Sequence, residues 1–398
     1  MNLFNATPFA AAYSLGIQKS GRNCLVIVVK ATYNLPKKSG EEPQLADEQI
    51  EPFETDTYTG EPGLSAPIYE NDYATYKPLC DVILHASAYS LQPIEEKQVG
   101  FKVGKTEKVI KVIGPRYLMK STSGNHPSKP EPFTQQKISY DTAYGGSDKD
   151  KKPDENGEDT FKSFIQNPIG IGFYPNCNAD ERAGKPMPQS EEIGDPITSL
   201  KSKKYSPQSF GPVARNWYPR HLLGGTYDKN WNDNVRPFLP EDFDEHYYQC
   251  APKDQQVPHL KGGEEVVLVG IVPQGKIQFN LPKASIPMQA ILNNGERHNL
   301  NPVIDTLIIE PDEERFTMVW RSRIALKKNV HEVDTLIAGK PTPAWERARM
   351  MDKLFLPLDQ LNAFKKRMEK QIAEEERIRK LNENDGDSSN GLAKEIKP

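Results

Sequence analysis

The segment 227–256 (YDKNWNDNVRPFLPEDFDEHYYQCAPKDQQ) places carboxylates, a histidine and a cysteine close together in the sequence. His246 and Cys250 are four positions apart, a spacing that would put two metal ligands on one face of a helix. Prolines on both sides leave room only for a short helical turn, and no second ligand pair occurs at finger-like spacing. The sequence therefore favours Asp242 and Asp244 accepting hydrogen bonds from turn amides, with no metal and no cofactor bound.

The same carboxylates leave open an alternative, a β-rich hydrolase that uses a carboxylate pair. Such an enzyme needs two facing carboxyl groups roughly 5 to 10 Å apart, one of them in an apolar wall that raises its pKa. The sequence contains no nucleophile-elbow, phosphate-loop or dinucleotide-binding glycine motif, and HEVD (331–334) lacks the second histidine of a zinc-protease motif. We therefore expect no catalytic residues and no enzymatic activity. The candidates for the hydrolase alternative are Asp233, Glu241, Asp242 and Asp244.

Tryptophan and arginine recur together in three short stretches, NWYPR (216–220), WNDNVRP (231–237) and VWRSR (319–323). These two residue types dominate the hot spots of protein interfaces, because they combine a large contact area with a planar charged group. An arginine that stacks on tryptophan and pairs with a carboxylate is equally suited to holding irregular loops in place. Both roles stay open for the six candidates, which are Trp217, Arg220, Trp231, Arg236, Trp320 and Arg321.

Short runs rich in β-branched residues predict strands along much of the chain. Turn residues at VPQGK (272–276) and PDEE (311–314) predict hairpins between neighbouring runs. The expected fold is mainly β, with antiparallel sheets in a sandwich or barrel-like arrangement, long irregular loops and a C-terminal charged α-helix. The predicted strand runs are 24–33, 80–89, 98–103, 107–114, 265–272, 276–281, 303–310 and 315–320.

A chain of 398 residues exceeds the roughly 250 to 300 residues that one core usually serves, which favours two packed lobes. Between 120 and 262 the chain is rich in proline, glycine and aromatic residues, typical of a packed insertion. From 358 to 381 a narrow apolar stripe among charged residues predicts a helix. The expected divisions are a domain at 1–335, made of a lobe at about 1–120 with 260–335 and an insertion at about 121–259, then a helical extension at 336–382 and a disordered tail at 383–398.

Charge and hydropathy argue against two classes of partner. The 51 basic residues are scattered among 55 acidic ones, so no basic surface for nucleic acid stands out. The longest apolar run, 24–29, is far shorter than the roughly 20 residues of a membrane-spanning helix, and no basic segment precedes an apolar N-terminal stretch. Four widely spaced cysteines suit reduced thiols better than a disulfide framework. We expect a cytoplasmic protein that binds neither nucleic acid nor membrane.

Seven blocks of sequence stand out, namely YENDYATYKPLCDVILHASAY (69–89), ISYDTAYGG (138–146), NPIGIGF (167–173), FGPVARNWYPR (210–220), the segment 227–256, LKGGEEVVLVGIVPQGKIQFNLP (260–282) and DTLIIEPDEERFTMVWR (305–321). In this order, over roughly residues 1–330, they resemble the domain of unknown function 2169 family. The resemblance implies a role in type VI secretion, where such proteins act as adaptors or chaperones that load a toxic effector onto the spike. The implied partners are a secreted effector, in some cases with a PAAR domain, and the valine-glycine-repeat spike protein. A structural component of the secretion particle is a further alternative.

Overall fold

The computed structural model describes residues 1–122, 124–201, 203–327, 329–351, 353 and 355. Strands dominate the described part of the chain, which also contains two short α-helices, α1 (Ala179–Arg182) and α2 (Pro343–Met350). The strands are β1 (Asn2–Asn5), β2 (Ala10–Ile17), β3 (Asn23–Asn34), β4 (Thr57–Tyr58), β5 (Pro67–Tyr69), β6 (Cys80–Leu84), β7 (Ser87–Ile94), β8 (Glu96–Val103), β9 (Thr106–Ile113), β10 (Leu118–Met119), β11 (His126–Pro127), β12 (Phe133–Lys137), β13 (Tyr144–Gly145), β14 (Ser147–Lys149), β15 (Phe161–Ser163), β16 (Ile171–Gly172), β17 (Ser190–Glu192), β18 (Gln256–Val257), β19 (Glu265–Val269), β20 (Lys276–Asn280), β21 (Met288–Leu292), β22 (Arg297–Leu300), β23 (Val303–Glu310), β24 (Arg315–Ala325) and β25 (Val333–Ala338).

The largest sheet has six strands in the order β18-β6-β23-β24-β3-β2. Neighbouring strands are antiparallel except β6 and β23, which are parallel. Strand β3, next to the edge strand β2, is buried along its whole interior, which agrees with its continuous run of β-branched residues. The sheet ends on one side at β2, which has β3 as its neighbour.

A five-stranded sheet (β17-β9-β8-β19-β20) and a four-stranded sheet (β1-β25-β21-β22) contribute side chains to the same hydrophobic core as the six-stranded sheet. Leu25 and Ile27 of β3 lie in this core together with Phe101 of β8 and Leu336 of β25. All of these side chains are almost fully buried. The expectation of a mainly β protein built from antiparallel sheets is therefore confirmed.

All eight predicted strand runs contain strands, and both predicted hairpins join antiparallel neighbours. The run 80–89 is divided between β6 and β7, because the chain leaves the six-stranded sheet at His85. Strand β25 lies across the boundary expected at 335, and residues 336–338 belong to it rather than to a helical extension. The first compact unit of the chain is Met1–Lys340.

The insertion contains short strand pairs and 3₁₀ turns around two small clusters of its own. One cluster includes Tyr144, Phe164 and Met187, and the other is centred on Trp217 packed against Tyr140. Most of the insertion is thus ordered by aromatic packing rather than by long strands. Its helical turns are Arg220–Gly224, Trp231–Val235 (a π-helical turn), Glu245–Tyr248 and Lys253–Gln255.

The second unit, Pro341–Pro398, is described only in its first residues. Helix α2 begins after Thr342, whose hydroxyl accepts a hydrogen bond from the Trp345 amide at 3.3 Å, and Pro343 occupies the first helical turn. The predicted helix 358–381 and the tail 383–398 lie outside the described residues. None of the described helices has the length and apolar character needed to cross a membrane.

Candidate functional site

A buried carboxylate on β6 fixes the C-terminal end of the segment 227–256. Asp81 is fully buried and accepts hydrogen bonds from Lys77 Nζ (2.8 Å), Gln249 Nε2 (2.7 Å) and the backbone amides of Cys250 (3.0 Å) and Ala251 (3.1 Å). Burial disfavours ionisation, but the Lys77 ammonium and these donors outweigh it and lower the pKa of Asp81. The stretch 249–251 is therefore attached to the sheet through one carboxylate.

Trp217 and Arg220 are both buried and hold the insertion together. The Trp217 ring packs edge-on against Tyr140, with ring centres 5.4 Å apart. Arg220 pairs with both carboxylate oxygens of Glu70, and its Nε donates to the Tyr247 carbonyl at 2.9 Å. Its Nη1 also donates to the Val213 carbonyl at 2.6 Å. One guanidinium thus connects three separate segments of chain.

Trp320 and Arg321 are adjacent on β24 and point to opposite faces of the sheet, and both are buried. Trp320 lies in the main core and stacks on Phe9, with ring centres 6.1 Å apart. Arg321 donates to both oxygens of Asp305, at 2.5 and 3.3 Å, and to the Ala74 carbonyl at 3.2 Å. This pair therefore stabilises the face of the sheet that lies under the segment 72–74.

Trp231 and Arg236 lie in a surface loop, unlike the other four candidates. Trp231 is half-buried, packs edge-on against Tyr227 at 4.7 Å between ring centres, and donates its Nε1 hydrogen to the Phe238 carbonyl at 2.9 Å. Tyr227 is 57% exposed, and Phe238 and Arg236 are also exposed. We call Tyr227, Trp231 and Phe238 the aromatic loop surface.

The aromatic loop surface lies against the hairpin that joins β2 and β3. A Cβ atom on Gly21, which has a φ of +75°, would be 2.9 Å from the Phe238 ring, so only glycine fits there. The structure thus places four of the six tryptophan and arginine candidates in the interior and two on an exposed loop. Contact of any of them with a partner remains a prediction.

The four candidate carboxylates of the hydrolase alternative are all exposed. Asp242 accepts hydrogen bonds from the Thr226 amide (2.9 Å) and hydroxyl (2.7 Å), and Asp244 accepts one from the His246 amide (2.9 Å). These backbone hydrogen bonds lower the pKa of both carboxyl groups. The shift is opposite to the raised pKa that a general acid requires, and it agrees with the predicted turn geometry.

His246 and Cys250 differ in environment. The exposed His246 ring contacts Asp244 at 2.7 Å, whereas the Cys250 thiol is buried beside Asp81, and burial raises its pKa well above the usual value. Among the residues that the structure describes, no group of three histidine, cysteine or acidic side chains is arranged to hold a metal ion. The four cysteines are free thiols, three buried and Cys177 partly exposed.

A cleft of about 310 Å³ is lined by β5, His85, the segment 137–140 and the 311–313 turn. Glu310 in its wall accepts hydrogen bonds from the Tyr69 hydroxyl and from Arg315 Nε (2.9 Å). His85 packs edge-on against Tyr69, and burial lowers its pKa, which favours the neutral imidazole. Glu310 and Arg315 pair with each other, and Asp312 accepts hydrogen bonds from the Ser87 and Tyr89 hydroxyls, while Lys137 and Glu313 also line the cleft. None of the site residues predicted from the sequence lines this cleft.

Fold and surface together define a mainly β protein in which buried ion pairs hold a long insertion and one loop exposes fixed aromatic rings. The chain belongs to the family described as "Uncharacterized protein conserved in bacteria (DUF2169)", whose profile matches residues 20–321. The family predicted from the seven sequence blocks is thus confirmed. Comparisons with curated proteins and with solved structures give no significant match.

Proposed function

We propose that this protein is a non-catalytic, cytoplasmic adaptor of type VI secretion that binds an effector and delivers it to the spike. The single observation that carries the proposal is the aromatic loop surface. Tyrosine, tryptophan and phenylalanine are enriched in protein interfaces, and here Tyr227 and Phe238 are exposed while a hydrogen bond fixes Trp231 between them. Such residues on the surface of a monomer suit the binding of another polypeptide.

Buried charged groups support the same role. Before the aromatic loop, Arg220 is attached to the protein interior by its ion pair with Glu70. After the loop, residues 249–251 are attached by hydrogen bonds from Gln249 and the Cys250 and Ala251 amides to Asp81. A loop held at both ends loses little conformational entropy when a partner binds, which favours affinity without new contacts. The exposed Arg236 is placed to pair with an acidic group of the partner at the rim of this surface.

The delivery cycle requires a complex that forms and later separates. A surface with a few aromatic anchors surrounded by weaker contacts suits such a complex better than one deep pocket does. The binding energy then depends on a small number of residues, so that loss of their contacts is enough to separate the complex. The proposed partners are a secreted effector, including one that carries a PAAR domain, and the valine-glycine-repeat spike protein.

The proposal is tested by co-expressing the tagged full chain with the products of its neighbouring genes and measuring complex formation by affinity purification. We expect Trp231→Ala and Tyr227→Ala to weaken the complex while thermal unfolding changes little. Phe161→Ala is the matched control, because Phe161 is an equally exposed aromatic residue on β15, and it should leave binding intact. Failure to form a stable complex with either an effector or the spike protein would exclude the adaptor role.

A further inference from the structure

Strand β2 is an open edge of the six-stranded sheet. It pairs with β3 over its whole length without a bulge, and within the described part of the chain no strand pairs with its other side. Its sequence, AAAYSLGI, contains no charged residue and no proline. Edge strands of natural proteins usually carry such residues or bulges, which prevent pairing with another chain. Strand β2 lacks these protections.

The unpaired backbone groups of β2 belong to alternate residues. The Gln18 amide donates to the Arg22 carbonyl at 2.9 Å, so residue 18 and, by alternation, the other even-numbered residues of β2 are bonded to β3. The N–H and C=O groups of Tyr13, Leu15 and Ile17 therefore point away from the sheet. Of these, the Leu15 carbonyl receives only a local 3.3 Å contact from the Ser14 hydroxyl.

The same odd-numbered residues expose apolar side chains on one face. Tyr13 is 37% exposed, Leu15 56% and Ile17 37%. Across β3 these positions are opposite Ile27, Leu25 and Asn23, of which the first two lie in the main core. The apolar face of the sheet thus extends past the core to the open edge. An occupant of this edge has to supply both a strand and apolar side chains.

We propose that β2 is the contact surface for a second copy of this chain, which pairs with it antiparallel about a two-fold axis at Ser14. In this register Tyr13 lies opposite Leu15 of the second copy, and residue 11 lies opposite residue 17. Every outward-facing residue then meets another outward-facing residue, so the ladder of one copy complements that of the other. The pairing joins two six-stranded sheets into one continuous sheet with an apolar stripe across the junction.

Charge does not oppose pairing between two copies at this edge. The nearest cations, Lys19 and Arg22, are exposed in the hairpin after β2. In the two-fold register Lys19 lies opposite residue 9, so the two Lys19 side chains are ten strand positions, about 33 Å, apart. This distance is several times the roughly 8 Å Debye length at physiological salt, so like charges do not oppose the pairing.

The first test is the mass of the full chain by sedimentation and light scattering over a concentration series. We expect a species of twice the 44.9 kDa chain mass that dissociates on dilution. Leu15→Lys places a charge on the edge and should raise the dimer dissociation constant by at least about tenfold. Leu91→Lys makes the same change at a distant residue that is 89% exposed, and it should have no effect.

The second test determines the register in which the two β2 strands pair. Ser14 would face itself across the axis in a non-hydrogen-bonded pair, with Cα atoms about 4.5 Å apart, within the range of a disulfide. With Cys177 replaced by serine, Ser14→Cys should therefore form a covalent dimer on oxidation by copper phenanthroline and oxygen. Ala12→Cys should not, because its two copies would be about 13 Å apart.

A monomer at all concentrations overturns the proposal, as does a dimer that Leu15→Lys leaves intact or a lack of selective cross-linking at residue 14. The full chain would stay monomeric if β2 instead pairs with a strand of a different protein or with residues 356–398 of the same chain. The result is independent of effector binding, so either proposal can fail while the other stands.

Discussion

Replacing Asp81 by alanine should destabilise the protein more than any change at the exposed carboxylates of the segment 227–256. Asp81 is fully buried and accepts hydrogen bonds from the Lys77 and Gln249 side chains, from the Cys250 thiol and from the backbone amides of residues 250 and 251. Its removal leaves the buried Lys77 ammonium facing the Thr306 hydroxyl at 3.0 Å without the carboxylate that directly pairs with it. It also leaves two buried amides without an acceptor.

Breaking a buried ion pair by removing one partner costs about 3 to 5 kcal/mol. We expect Asp81→Ala to lower the free energy of unfolding by this amount. With an m value of about 3 kcal/mol/M, the urea midpoint should decrease by about 1 to 1.7 M. Far-ultraviolet circular dichroism and tryptophan fluorescence, followed in the same titration, test whether unfolding is a single transition.

The control is Asp242→Ala, which removes a carboxylate from the same segment at an exposed position and should leave the midpoint nearly unchanged. The pKa of Asp81 is lowered on folding, so its contribution is fully present above its unfolded pKa of about 3.9 and is lost as the pH falls through the lower folded value. The difference between wild type and Asp81→Ala should therefore be constant between about pH 5 and 8. An Asp81→Ala protein as stable as Asp242→Ala would refute the assigned role of the buried pair.

Two further predictions follow from burial. Trp217→Ala should lower the free energy of unfolding by about 3 to 5 kcal/mol, because it removes a fully buried ring from its contact with Tyr140. Urea unfolding measures this, and a change as small as that for Phe161→Ala would contradict it. Native protein at pH 8 should show one thiol, Cys177, that reacts with a disulfide reagent before the other three, since Cys177 is partly exposed whereas Cys24, Cys80 and Cys250 are buried and burial raises their pKa values. If all four thiols react at equal rates without denaturant, the predicted order of thiol reactivity is wrong.

The sequence predicted the strands in which β-branched residues form continuous runs, because such runs are favourable in a buried sheet whatever the partner strand. It did not predict β2 or β21, whose sequences AAAYSLGI and MQAIL contain alanine, glycine, serine or glutamine at many positions. These segments are strands because a neighbouring strand supplies hydrogen bonds and an apolar surface. That contribution comes from distant parts of the chain and has no local signal.

Within the candidate site, residue type indicated importance but not location. Trp217 packs on Tyr140, and Arg220 pairs with Glu70, partners that are far away in the sequence. The sequence around Asp81 contains a usable signal of burial. An acidic residue inside the apolar run CDVIL must either face solvent or find a buried partner, and full burial requires the latter. The Arg321–Asp305 pair could also have been predicted from the sequence, because the predicted hairpin at 311–314 brings these two positions together.

The buried pairs have a consequence for the aromatic loop surface. Replacing a whole ion pair by apolar residues is often neutral for stability, whereas separating its partners is costly. The Glu70–Arg220 pair therefore acts mainly against displacement, because any slide of the insertion along the sheet would leave a buried charge unpaired. The same slide would remove the Gln249, Cys250 and Ala251 donors from the buried Asp81 carboxylate. A loop-rich segment with few long strands has no extended hydrogen-bond ladder to set its position. These buried charged groups set the position of the segment instead. They thereby also fix the geometry of the rings at 227, 231 and 238.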